Sequence, residues 1–150
     1  MKVKIIIIAV LLLTISTIGC IEKQPKNNFP ILEKILLDIG GNYISPFMGE
    51  SKFTDRLIAD GQTFENLSYD LLSSEDKGLC HQESYKYWLS HNVNLCNGYA
   101  LNNFRWVKHS WVVNETTLIE TQFPYEKYYG IILREKEIEV FYDLYRGFIE

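Results

Sequence analysis

Cys80, His109 and Glu120 are the residue types that cooperate in acyl transfer, and the sequence places each on an element able to present it. "GLCHQESYKYW", residues 78–88, sets Cys80 at the first turn of an expected helix. The unpaired N–H groups there carry partial positive charge and favour a thiolate. An imidazole can take the thiol proton, and a carboxylate on the other ring nitrogen fixes the tautomer and supports the imidazolium. His109 and Glu120 fill those roles in chain order, with the Cys80 backbone N–H as a candidate oxyanion donor.

Each residue also has a plainer reading. Cys80 and Cys96 are a candidate disulfide in an oxidising compartment, and a lone buried thiol is inert packing. His109 bonded to Glu120 is equally a structural histidine with a cross-strand partner. His81 is one helical step, about 100°, from the thiol and is expected to face solvent. His91 sits at the helix C-terminus, where a cation is favoured without any function. Trp88, Trp106 and Trp111 read as core or cleft wall. The cysteines and the three histidines lack compact paired spacing, so neither metal nor cofactor is expected.

The elements that must position these groups follow from periodicity. "FPILEKILLDIGG" has Pro30 at a helix start and Gly40-Gly41 as its stop. A short helix is expected around 53–59, and Phe64, Leu67, Leu71 and Leu72 suggest another over 63–73. Cys80, Ser84, Tyr85, Trp88 and Leu89 form one stripe of a helix ending near 91–92. Asn97-Gly98 is a strong hairpin signal. "FRWVKHSWVV" and "TTLIETQF" alternate around Asn114-Glu115, "YYGIIL" adds a strand, and a helical stripe runs from 138 to the end. Helices, then an antiparallel sheet of about four strands, then a closing helix is an α+β order. With Val113 facing Thr116, His109 faces Glu120 on a face shared with Val107, Trp111 and Val113.

"MKVKIIIIAVLLLTISTIGC" has a secretory layout, with Lys2 and Lys4, then an uncharged run of about 14 residues, shorter than a spanning helix needs. Its ending "TIGC" resembles the lipobox of prokaryotic lipoproteins, which implies a diacylglyceryl group on Cys20. The expected division is a signal peptide over 1–19, a polar tether over 20–29 and one α+β domain over 30–150. The chain would then be lipid-anchored at the extracytoplasmic face of the cell membrane. Removing residues 1–19 takes two lysines from a formal net charge of −4 and leaves −6. With 15 basic against 19 acidic residues and no basic cluster, nucleic acid is set aside as a partner. Asn66-Leu67-Ser68 and Asn114-Glu115-Thr116 are glycosylation sequons.

The stretch from Cys80 to Gly130 resembles the core of the papain-like cysteine hydrolases, in particular the transglutaminase-like branch. A nucleophile at a helix start is followed by "NGYA", by "HSWVV" on a His-x-Trp strand, by "IETQ" on the next strand and by "YYG" at 128–130. That branch commonly has Asp where this chain has Glu120. The resemblance implies hydrolysis or transfer at a peptide or amide bond through a thioester on Cys80, with His109 and Glu120 as partners. The competing expectation is a non-catalytic lipoprotein module stapled by a Cys80–Cys96 bridge.

Overall fold

In the computed structural model, residues 28–45, 52–65, 67–72 and 79–148 are described. The proposed signal segment, Cys20 and Asn66 lie outside them. The chain runs α1 (Phe29–Ile39), β1 (Tyr43–Ile44), α2 (Thr54–Asp60), β2 (Gln62–Thr63), β3 (Ser68–Leu71), α3 (Cys80–Ser90), β4 (Asn94–Asn102), β5 (Arg105–Asn114), β6 (Thr117–Glu120), β7 (Lys127–Ile132) and α4 (Glu135–Tyr145), closed by a 3-10 turn at Arg146–Phe148. The α+β class is as expected.

The sheet is larger than the four strands expected. Among the described residues the sheet has seven strands, six in the order β2-β7-β4-β5-β6-β3 and β1 paired beside β5. Most pairs are antiparallel, but β1 with β5 and β3 with β6 are parallel. Three of the four helices form where periodicity put them within a residue or two, and α4 covers the first part of the C-terminal stripe. On α1, Leu32 and Leu36 are fully buried, each contributing about 1.5–3 kcal/mol by leaving water.

Two local expectations are corrected. The helix expected over 63–73 is not formed. Ser68–Leu71 instead pairs in parallel with Thr117–Glu120, and the Ser68 hydroxyl bonds the Thr116 carbonyl at 3.0 Å. Pairing with a distant strand has outweighed a weak local helical period. Asn97-Gly98 makes no turn and lies inside β4. The turn falls instead at Asn103-Phe104, both at positive φ (49° and 63°), the type I′ pattern for a two-residue hairpin. Gly98 serves close approach: a Cβ there would lie 2.2 Å from the Tyr129 carbonyl oxygen on β7.

The two sheet faces differ. One carries Leu95, Tyr99, Leu101, Trp106, Val112, Ile119, Tyr129 and Ile131 in one core with residues of all four helices. The other carries Cys96, Ala100, Trp111, Val113, Leu118 and Tyr128, with Phe64, Leu67 and Tyr125 packed against them. Among the described residues loops, not helices, roof this second face, and His109 points into it. Among the described residues no helix is long and apolar enough to cross a membrane.

Candidate active site

Strand β5 has an edge that is only partly paired. Beyond β5, β6 pairs with residues 112–114 and β1 with 105–106, and among the described residues no strand pair is formed between those stretches on that side. Helix α3 is anchored in this notch by two polar side chains. Ser84, fully buried, donates to the Ser110 carbonyl at 2.9 Å, and His81 Nδ1 lies 2.7 Å from Ser110 Oγ. A larger side chain at 84 would hold the helix off the strand. The anchoring points the first residue of α3 through the notch toward the loop-roofed face.

Cys80, 9% exposed, there hydrogen-bonds the side chain of His109, which is 1% exposed. His109 Nε2 faces Glu120 Oε2 at 2.8 Å, which leaves Nδ1 for the sulfur. Burial alone would depress the imidazole pKa. The charge and hydrogen bond of Cys80, followed by those of Glu120, override it and raise it to about 9.

The expected register is off by two. Val113 pairs with Leu118 and Asn114 with Thr117, so the turn is Glu115-Thr116 rather than Asn114-Glu115. A two-residue slip preserves the face, so His109 and Glu120 stay on the same side and meet diagonally. Strand β6 also ends earlier than the alternation suggested. The Glu120 carboxylate accepts the backbone N–H groups of Thr121 and Gln122, both at 2.9 Å, and turns the chain out of the sheet.

Glu120 is fully buried, yet every bond it makes comes from a donor. Oε1 takes the two backbone N–H groups, and Oε2 takes His109 and the Tyr128 hydroxyl, the latter at 2.9 Å. Sequence reasoning missed Tyr128. It lies in "YYG", opposite Ala100, and in β7 its alternation assigned it no more than packing. Burial, followed by the charge of Glu120, raises its pKa and keeps the hydroxyl protonated as a donor.

His81 is not turned to solvent as one helical step suggested. Its ring stacks on Tyr145 with centroids 3.9 Å apart. Asn97 Nδ2 donates to Ser110 Oγ at 3.0 Å, which leaves the Ser110 hydroxyl to donate to His81 Nδ1. Burial, followed by the charges of His109 and Lys108, lowers the His81 pKa to about 3, so this second imidazole is neutral. His91 meets its expectation at the end of α3, bonding the Tyr87 carbonyl at 3.0 Å.

Cys80 and Cys96 are both free thiols. Cys96 is fully enclosed by the second core, and burial raises its pKa beyond that of an ordinary thiol. The two cysteines therefore differ in kind: one sits at a helix terminus against an imidazole, the other in apolar packing.

At the start of α3, Leu79 supplies no side-chain cap. The first-turn N–H groups have no intrahelical acceptor and are the local donors for an oxyanion. A cavity of about 210 Å³ opens beside the sulfur, with Val107, Gln122, Phe123 and Tyr125 among its walls. Among the described residues no group of three or more His, Cys, Asp and Glu is placed to hold a metal ion. Compared with family models, with curated proteins and with solved structures, the chain matched nothing.

Proposed function

We propose that this chain is a cysteine hydrolase or acyl transferase acting on peptide or amide bonds, with Cys80 as nucleophile, His109 as general base and acid, and Glu120 as the residue that orients the ring. What carries the reading is one unbroken line of contacts, from the Cys80 thiol to His109 and from His109 Nε2 to Glu120 at 2.8 Å. Tyr128 donates to the same carboxylate oxygen, Oε2, that meets His109. A helix-borne thiol meeting an imidazole and a carboxylate on successive antiparallel strands supports reading the α+β fold as a papain- or transglutaminase-like core.

The chemistry runs in two halves. His109 takes the Cys80 proton, and the sulfur attacks the carbonyl carbon while the oxyanion turns toward the first-turn N–H groups of α3. The imidazolium then gives its proton to the leaving amine as the C–N bond breaks, and a thioester remains on Cys80. Water, or an acceptor amine in the transfer reaction, loses a proton to His109 and attacks the thioester, and the thiol leaves with that proton. Glu120 keeps Nε2 protonated throughout, so Nδ1 alone exchanges protons.

The same reading takes residues 1–19 as a signal peptide and Cys20 as lipidated, which tethers the domain at the extracytoplasmic face of the cell membrane. The layout of "MKVKIIIIAVLLLTISTIGC" supports it.

The test is alkylation of the purified full chain by iodoacetamide at pH 7 with the modified cysteine mapped by mass. Cys80 should react at least about tenfold faster than Cys96, and His109→Ala should abolish the difference. Equal, slow modification of both cysteines would overturn the reading. So would a protein with no free thiol before reduction.

A further inference from the structure

The cavity beside Cys80 is lopsided in charge. Its lining includes Arg105, Lys108 and His109, and among the described residues no Asp or Glu lines it. His109 is committed to Cys80 and Glu120. Arg105 and Lys108 form no ion pair among the described residues, whereas Arg56 and Arg134 are each matched to a carboxylate. Lys108 is half-buried, and its burial, unopposed by any carboxylate, lowers its pKa. The influence of Lys108 on His81 and of Arg105 on Tyr125 sets the two cations against the start of α3 and the cavity wall.

A half-buried cation without a partner costs free energy that folding alone does not recover. Lys108, half-buried, and Arg105, exposed beside it, stand at the mouth of a reactive thiol with no ion pair among the described residues, in a chain of net charge −4 whose overall field repels anions. A bound anion would satisfy both.

We propose that the acyl donor of this site carries a carboxylate, or a group of like charge, close to its scissile carbonyl, and that Lys108 and Arg105 hold it in the cavity that opens on Cys80. The inference rests on the cysteine hydrolase reading above and adds the substrate class. At about 210 Å³, the cavity is far larger than a single water needs and is on the scale of one side chain. An acidic residue or a chain-terminal carboxylate next to the cleaved bond fits both size and charge. Val107, Phe123 and Tyr125 provide apolar wall for the methylenes that carry the charge.

Iodoacetate and iodoacetamide, an anionic and a neutral reagent of one shape, measure this at the sulfur itself. The rate ratio at Cys80, iodoacetate over iodoacetamide, should exceed that of free cysteine under the same conditions. Lys108→Gln and Arg105→Gln should each lower it about threefold to fivefold while the iodoacetamide rate stays within about twofold. Lys108→Arg should restore the ratio, and 0.5 M salt should compress it. Fast iodoacetamide reaction with a ratio that neither substitution moves would overturn the substrate class and leave the hydrolase reading intact; Lys108 would then be a stem packed on the wall with its head in water. Slow reaction with both reagents would overturn the hydrolase reading, and this inference with it.

Discussion

Glu120 Oε2 lies 2.8 Å from His109 Nε2 although β5 and β6 place the two residues two register positions out of opposition. The diagonal is spanned because β6 stops at Glu120, whose Oε1 is tied to the next two backbone N–H groups while Oε2 reaches inward. The orientation of the imidazole thus depends on where a strand ends as much as on which residue is there.

Glu120→Gln should lower the pH at which His109 loses its proton. The wild-type imidazole titrates at about 9, so amide hydrolysis should fall on the alkaline side near that value. In the variant the limb should move toward the ordinary histidine value of about 6.5. Leaving an amide NH2 against donors should also cost about 1–3 kcal/mol of stability. Rate against pH and a denaturant melt separate the two effects.

Two histidines should shape stability against pH in opposite directions. His109 has a raised pKa in the fold, about 9, so its contribution is full below about 6.5 and is lost as pH climbs through 9. His81 is lowered to about 3. Below about 6.5 the unfolded chain takes up a proton there that the fold refuses, so stability falls as the solution is acidified. The summed curve should peak near pH 6.5. Urea midpoints from pH 5 to 9 check it, with His81→Gln flattening the acid side and His109→Gln the alkaline side.

How much of this could be read beforehand depends on which interactions decide each element. The helices carrying Leu32, Leu36 and Ser84 announce themselves because one face is buried along their length, and the alternation of β5 fixes the face of His109. Ser68–Leu71 gives no such signal, because it is exposed throughout and is held mainly by backbone pairing to β6. Asn97-Gly98 misleads because glycine answers two demands, a turn and a tight strand contact, and only the fold says which. The positive-φ turn at Asn103-Phe104 has no glycine to mark it. Catalytic candidates were legible by type. Tyr128 and the Ser110 to His81 bond were not, since both depend on register across strands far apart in sequence.

Tyr128→Phe should leave the fold in place and loosen the carboxylate. It removes the hydroxyl that donates to Glu120 Oε2 at 2.9 Å, at a cost of about 1.5–3 kcal/mol for a hydrogen bond to a charged group. Thermal melts give the loss, and hydrolysis should slow through kcat with KM little changed, because the hydroxyl meets Glu120 and not the acyl donor.

Gly130→Ala should be among the more damaging single-methyl additions. A Cβ at 130 would sit 2.5 Å from Trp111 Cη2 and 2.6 Å from the Asn97 carbonyl oxygen. Gly130 pairs with Gly98, which pairs with His109, so these two strand positions beside the imidazole carry no side chain. Overpacking there should cost about 1–3 kcal/mol and show as a lowered Tm together with slower alkylation of Cys80.

The unpaired stretch of β5 that admits α3 also limits how this molecule can change. Lengthening β6 or β1 by one further pair along that edge would satisfy more backbone and add to the sheet, yet it would shut the doorway between sulfur and ring. Gains in rigidity along this margin and retention of reactivity are therefore opposed, and insertions that reshape specificity are best accommodated in the 121–126 connection, which can grow without crossing the gap.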